Sequence, residues 1–261
     1  MRMHRARIAR RLVAVAALVA GCGGAWSEAT PPTGSAVALV VSVDVSQSVD
    51  DARFRLQMEG IAEALEDPTV VAAMTGNSGG VQFALVAWAD RAHLAVGWRR
   101  IATRADAFAT AALVRAMPRQ AGEFTCLGQM FRSVSEAIIP ALPTPAERIV
   151  VDVSGDGIDN CTGAEDLEAA RAGLLATGAT INGLPILVPG ENDVVGAGAY
   201  RAPGYGLRPT PLPQERTGLE QWYRNHIVGG PGAFLLTAAG YGDFSRALRR
   251  KFVIEVSSLK R

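Results

Sequence analysis

The chain has 261 residues, 49% of them hydrophobic and 20% charged, with a formal net charge of +1. This is a globular composition, outside the disordered class. Near-neutrality, with no basic patch interleaved with aromatics, argues against a nucleic-acid partner. The length suits one large domain or two small ones.

At the N-terminus, Arg2, Arg5, Arg7, Arg10 and Arg11 precede a wholly apolar run from Leu12 to Ala20. That is the pattern of a signal peptide, too short to span a bilayer comfortably. Val19-Ala20-Gly21-Cys22 resembles the lipobox of bacterial lipoproteins, in which the cysteine is acylated and becomes the mature N-terminus. Residues 1–22 therefore read as a signal peptide with Cys22 a lipidation candidate; the alternative is an ordinary signal peptide cleaved near Ala25. The expected location is the periplasm, or the envelope membrane through a lipid anchor. The residues flanking Arg10-Arg11 fit twin-arginine export poorly. Residues 23–35, rich in Gly, Ser, Thr and Pro, read as a flexible tether.

Residues 36–258 read as one domain. Val37 to Val43 is a β-branched, nearly continuous apolar run, as expected of a strand buried on both faces of a parallel sheet. Phe54, Met58, Ile61 and Leu65 then fall on one stripe at helical spacing, and Asp67-Pro68 ends that helix. Val81 to Ala89 is a second strand, tightly connected to an antiparallel edge strand over His93–Trp98. Helices are expected over Arg104–Met117, from Thr125 through about Ile139, and over Glu165–Thr177, with Gly178 at the last one's C-terminal cap. Arg148–Val153, Thr180–Val188 and Ala233–Thr237 read as further strands, Gln221–Ile227 as a short helix and Asp243–Ser257 as a closing helix. Between them, 189–215 is a Pro- and Gly-rich insert. The alternation predicts an α/β fold: a three-layer, doubly wound, mostly parallel sheet with one antiparallel edge strand.

Asp44, Ser46 and Ser48 lie where the first strand gives way to the first helix. Alternate positions of an extended segment point the same way, so one short loop presents a carboxylate and two hydroxyls to one point. Hard cations such as Mg²⁺ take oxygen ligands of this kind. In open α/β sheets, ligands bind at the carboxyl ends of the strands. The competing reading makes Ser48 a helix N-cap with Asp51 as its acidic partner. Thr125, before a helix, and Asp156, after a strand, add oxygens from two more loops on the same face.

With these three loops the sequence resembles the von Willebrand factor A family, whose metal-ion-dependent adhesion site uses an Asp-x-Ser-x-Ser loop, a threonine and an aspartate. The matching residues are Asp44, Ser46, Ser48, Thr125 and Asp156. It is more closely similar to the DUF1194 family of bacterial proteins of uncharacterised function. The segments carrying that likeness are 44–50, 151–157, 181–186 and 229–234. The resemblance implies a Rossmann-like fold and bound Mg²⁺ (or Mn²⁺ or Ca²⁺). It also implies a protein partner that offers a carboxylate to the metal. The expected function is a metal-dependent protein-binding module of the cell envelope, touching membrane only through the signal peptide or lipid anchor. The alternatives are a Mg²⁺-dependent hydrolase or phosphotransferase, and a scaffold with structural metal loops. No catalytic set is apparent: an aspartyl phosphotransferase needs a second carboxylate where Ser46 stands, and no Ser-His-Asp group appears.

If the second and third loops converge on one ion, Cys126 and Cys161 come close enough to form a disulfide that braces the metal face. The insert 189–215 is expected to border the site. Asp152 is expected to be structural, and Asp159 either a rim ligand or solvated. His93 and His226 read as packed or solvated. Gly155 and Gly157 read as serving loop geometry rather than phosphate binding.

Overall fold

Five strands form one sheet among the residues that the computed structural model describes, 34–76, 79–120, 122–193, 195 and 217–257. They are β1 (Ser35–Asp44), β2 (Val81–Trp88), β3 (Ala92–Ile101), β4 (Ala146–Gly155) and β5 (Thr180–Pro185). Their order is β3-β2-β1-β4-β5. β1 pairs parallel with β2 and β4, β4 pairs parallel with β5, and β3 is the antiparallel edge. Every residue of β1 is buried, as its two-sided apolar run requires. The expected signal peptide, Cys22 and most of the insert lie outside the described residues.

Helices cover both faces. α1 (Asp51–Glu66), α2 (Pro68–Thr75), α3 (Arg104–Arg115) and α7 (Phe244–Ser257) pack on one side. α4 (Leu127–Ser133), α5 (Ala164–Ala176) and α6 (Leu219–His226) pack on the other. Val37, Leu39, Val41 and Val43 of β1 join Phe54, Met58, Ile61 and Leu65 of α1 in the first core. Val40 points the opposite way, to Phe131, Leu174 and Tyr223 in the second. The result is the expected three-layer α/β architecture.

Several boundaries differ from the sequence reading. Asp67-Pro68 does end α1, but it also starts α2: Asp67 Oδ1 accepts from Thr69 N (2.8 Å) and Val70 N (3.2 Å), and Pro68 occupies the first turn. The helix expected to run to Ile139 is regular only to Ser133, widening to a π-turn over Val134–Ile138 and tightening to a 3₁₀ turn over Ile139–Ala141. Pro140 explains this, because in a regular helix its ring would collide with the carbonyl of Glu136. The strand expected at Ala233–Thr237 is only a pair of isolated bridges, Gly183↔Leu235 and Ile186↔Ala238. Gly183 N donates to Phe234 O and Leu187 N to Ala238 O, but Pro185 between them has no N–H, so the ladder breaks. β5 ends at Pro185, short of Val188, because its partner β4 stops opposite it at Gly155.

Asp152 of β4 is structural, as expected. Lys251 Nζ on α7 lies 2.9 Å from Asp152 Oδ1 and 2.5 Å from Glu255 Oε1, and all three residues are buried. Asn182 of β5 donates to Glu255 (2.7 Å). This charged cluster clamps α7 to the sheet.

The connections set the site. From β1 the chain moves toward β2, whereas from β4 it moves the opposite way, toward β5. The carboxyl ends of β1 and β4 therefore flank the topological switch point, where ligands bind in such sheets.

Candidate metal centre

Asp44 is the last residue of β1, and Val43 lies opposite Ser154 in β4, so the loops after the two strands meet. Ser46 N donates to Asp44 Oδ1 (2.8 Å), and Val49 N donates to Ser46 O (3.0 Å). Gln57 of α1 reaches back to Asp44 O (3.0 Å). These bonds fold the loop so that Ser46 Oγ lies 3.3 Å from Ser48 Oγ. Thr125 Oγ1 donates to Ser46 Oγ at 3.3 Å, and Ser48 Oγ donates to Asp156 Oδ1 at 2.6 Å. All five residues named from the sequence are thus joined in one set of oxygens.

The helix cap is not Ser48. Asp50 caps α1, accepting from Arg53 N at 2.8 Å. Ser48 turns inward to Asp156 instead, which corrects the N-cap reading and leaves its hydroxyl to the site.

The second and third loops are cross-linked. Cys126 and Cys161 form a disulfide, with their Cα atoms 5.2 Å apart. Thr125 N donates to Asn160 Oδ1 (2.9 Å), and Asn160 N donates to Thr125 O (3.1 Å). Asp159 is half-buried and bonded to its own loop. Its carboxylate accepts from the backbone of Gly128 (3.1 Å) and Thr162 (2.6 Å), so it organises the loop. Gly155 is needed for space, whereas Gly157 has room for a side-chain carbon. A Cβ at Gly155 would sit 2.9 Å from Tyr223 Oη and 3.0 Å from Asp44 Oδ2, and one at Gly157 would sit 3.4 Å from Thr125 Oγ1. His226 packs against Trp222, with 5.0 Å between ring centroids.

Several residues at the site were not named from the sequence. Tyr241 Oη donates to Asp156 Oδ2 (2.9 Å). Asn192 donates to Asp156 O (2.9 Å) and Ile186 O (2.8 Å), and its own Oδ1 accepts from Val188 N (2.8 Å). Arg53 approaches Asp156 Oδ2 (3.5 Å) and holds Glu191. Of the insert, residues 189–193 and 195 are described, and through Glu191 and Asn192 it reaches the site. Arg53 lies five positions after Ser48, a closeness in sequence that could have drawn notice; nothing in the sequence singles out Asn192 or Tyr241.

The electrostatics fit a cation. Asp44 is fully buried, and its Oδ2 has no hydrogen-bond partner. Burial, and then the charge of Asp156, push its carboxyl up to about 8, against the bonds from Ser46. Two carboxylates converging in a dry crevice are mutually destabilising unless a positive charge lies between them. Among the described residues no group of three or more His, Cys, Asp or Glu gathers to hold a metal. The donors are instead two carboxylates and three hydroxyls, a hard-oxygen set.

The fold is shared with solved structures of the von Willebrand factor A type. Proximal thread matrix protein 1 from the mussel byssus is 15% identical, with a TM-score of 0.56 over 87% of this chain and 48% of that one. The pilus adhesin SpaC from Lactobacillus rhamnosus GG is 12% identical, with a TM-score of 0.57 over 87% of this chain and 31% of that one. An aerotolerance-related membrane protein from Bacteroides fragilis NCTC 9343 is 14% identical, with a TM-score of 0.54 over 85% of this chain and all of that one. The chain spans about half the length of the mussel protein and less of the adhesin. Another structure of the mussel protein, 16% identical and with a TM-score of 0.55, carries zinc in its MIDAS motif. No curated protein matches this chain in sequence. Residues 35–260 match the model of a family described as "Protein of unknown function (DUF1194)", and the chain belongs to that family.

Proposed function

We propose that this chain is a divalent-metal-dependent protein-binding module of the bacterial cell envelope. The observation that carries the reading is the convergence of hydroxyls from Ser46, Ser48 and Thr125 with Asp156 beside the unpartnered Oδ2 of buried Asp44. Asp44, Ser46, Ser48, Thr125 and Asp156 would hold Mg²⁺, or Mn²⁺ or Ca²⁺. When bound, the ion supplies an electron-poor coordination position, which a carboxylate of the partner protein completes. The chain's own residues orient and shield the site. Tyr241 and Asn192 fix Asp156, Gln57 fixes the β1 loop, and the Cys126–Cys161 disulfide holds the other two loops together.

Export belongs to the same proposal. A disulfide persists in an oxidising compartment, and the adhesin with this fold is a pilus protein. Among the described residues, no helix is long and apolar enough to cross a membrane. Attachment through the N-terminal segment is part of the same proposal. No catalytic activity is part of the proposal.

Calorimetric titration of Mg²⁺ and Mn²⁺ into the wild type and Asp44→Ala tests the site. Binding is expected in the wild type and lost in the variant; equal affinity in both would sink the assignment. Capture from an envelope extract, with and without chelator, then tests for the partner, which should be retained only with metal.

A further inference from the structure

The guanidinium of Arg53 stands on the rim of the metal face, held there from inside the site. Its NH1 donates to Ser48 O (2.9 Å) and approaches Asp156 Oδ2 (3.5 Å), and the group lies over the Tyr241 ring, 5.2 Å from its centroid. These contacts fix the group but leave its outer edge free. Glu191 takes that edge with two bonds, NH1 to Oε2 at 2.9 Å and NH2 to Oε1 at 2.5 Å. The Arg53 side chain is 23% exposed and Glu191 51% exposed, so the pair faces solvent beside the opening marked by Ser48.

Two features of this pair matter. A planar fork of N–H donors matches a carboxylate bidentately, which is the chemistry of carboxylate recognition. A fixed positive charge 3.5 Å from Asp156 also works against any cation that Asp156 would hold. Glu191 neutralises that charge. It therefore supports the metal while occupying the donor edge that an acidic ligand would use.

We propose that Arg53 is a second recognition group of the metal face, receiving a carboxylate of the partner, and that Glu191 is an internal carboxylate which the partner displaces. The partner segment then carries two acidic side chains close together, one for the ion and one for Arg53. The exchange keeps the guanidinium neutralised throughout, so metal is not lost when Glu191 leaves. The proposal rests on the metal-site reading above and adds the composition of the partner to it.

The opposed effects on the two ligands provide the test. Mg²⁺ affinity is measured by calorimetry on the full chain. In saturating Mg²⁺, so are the affinities of two acetylated, amidated peptides, Gly-Asp-Glu-Gly with two acids and Gly-Asp-Gly-Gly with one. Glu191→Gln is expected to weaken Mg²⁺ binding and to tighten the two-acid peptide about three- to five-fold, the range of an exposed ion pair, with little change for the one-acid peptide. Arg53→Gln is expected to leave Mg²⁺ binding as tight or tighter and to erase the preference for two acids. A purely structural pair would move metal and peptide affinities in the same direction in both variants. That outcome, or an unchanged two-acid preference in Arg53→Gln, overturns the proposal. Asp44→Ala separates the two levels: if it binds Mg²⁺ like the wild type, the metal site itself is wrong, and this proposal falls with it.

Discussion

Replacing Gly155 by alanine places one methyl group at the tightest point of the switch crevice. The new Cβ would lie 2.9 Å from Tyr223 Oη, 3.0 Å from Asp44 Oδ2 and 3.1 Å from Asp44 Cβ. Both neighbours are fully buried, Asp44 on the adjacent strand β1 and Tyr223 on α6 over the sheet, so neither has room to swing away. Overpacking of this kind costs about 1–3 kcal/mol, offset by about 0.4–1 kcal/mol from the stiffer unfolded chain. The expected net loss is roughly 1–2 kcal/mol, or about 2–8 °C in melting temperature for a domain of this size. Because the clash pushes on Asp44 itself, Mg²⁺ affinity should fall together with stability. Gly157→Ala is the matched comparison. There a Cβ meets Thr125 Oγ1 at 3.4 Å and Cγ2 at 3.9 Å, ordinary contact distances, and the stability change should stay within about 1 kcal/mol. Urea denaturation in chelator, followed by circular dichroism, gives the stabilities, and calorimetry the metal affinity. If Gly155→Ala is as stable as Gly157→Ala, or if it is destabilised yet binds Mg²⁺ like the wild type, the close approach of β4 to Asp44 does not control the site.

Three other perturbations probe the frame around it. Replacing Cys126 and Cys161 together by serine opens a cross-link spanning 35 residues, which should cost about 4 kcal/mol in the chain-entropy model and weaken Mg²⁺ binding; the chain under reductant should behave likewise in urea denaturation. Asn192→Ala removes three hydrogen bonds made by one buried amide and should cost about 1–3 kcal/mol, read by the same denaturation curves. Lys251→Met leaves Asp152 and Glu255 buried without their cation and should cost about 3–5 kcal/mol at neutral pH. Burial already pushes the Asp152 carboxyl up to about 7 despite the pull of Lys251, so the folded chain holds that proton more tightly than the unfolded chain does. A raised carboxyl favours folding below its unfolded value of 3.8, and that advantage is lost as the pH rises through the folded value. The deficit of Lys251→Met should therefore shrink as the pH is lowered from 7 to 5, and a deficit that grows over this window would contradict the assignment.

What was legible in the sequence was what local pattern or two-sided burial dictates. The β-branched run of β1 could only be a central strand, and the Asp44-x-Ser46-x-Ser48 spacing places three oxygens together whatever surrounds it. The less legible features turn on partners far along the chain. Ser48 and Asp50 are both good caps, and the choice between them is made by Asp156, 108 residues away from Ser48, which takes the serine hydroxyl. The expected strand at Ala233–Thr237 has the right residues, and it is Pro185 on the neighbouring strand that denies it a ladder. Tyr241 and Glu191 reach the site across 85 and 138 positions, and no spacing rule connects them to Asp156 and Arg53. The disulfide was foreseeable only once the two loops were expected to share an ion.

The arrangement of these cross-links divides the site into a stiff part and a soft part. Thr125 and Asp156 belong to loops tied by a disulfide, by the paired bonds of Asn160 and by Asp159, so their separation is fixed several times over. Asp44 and Ser46 are held by their own turn and by Gln57. Ser48 is the exposed member, and among the described residues its side chain is held by contacts to Ser46 Oγ and Asp156 Oδ1. Exchanging the Ser48–Asp156 hydrogen bond for coordination would therefore require movement chiefly in Ser48 and in α1, which follows it and carries Arg53. Cys126 and Cys161, beside the site, are joined in the disulfide, so among the described residues these loops offer oxygen donors and no thiolate. Softness and donor type point the same way. A set of carboxylate and hydroxyl oxygens, one of them on an exposed serine, suits a hard cation.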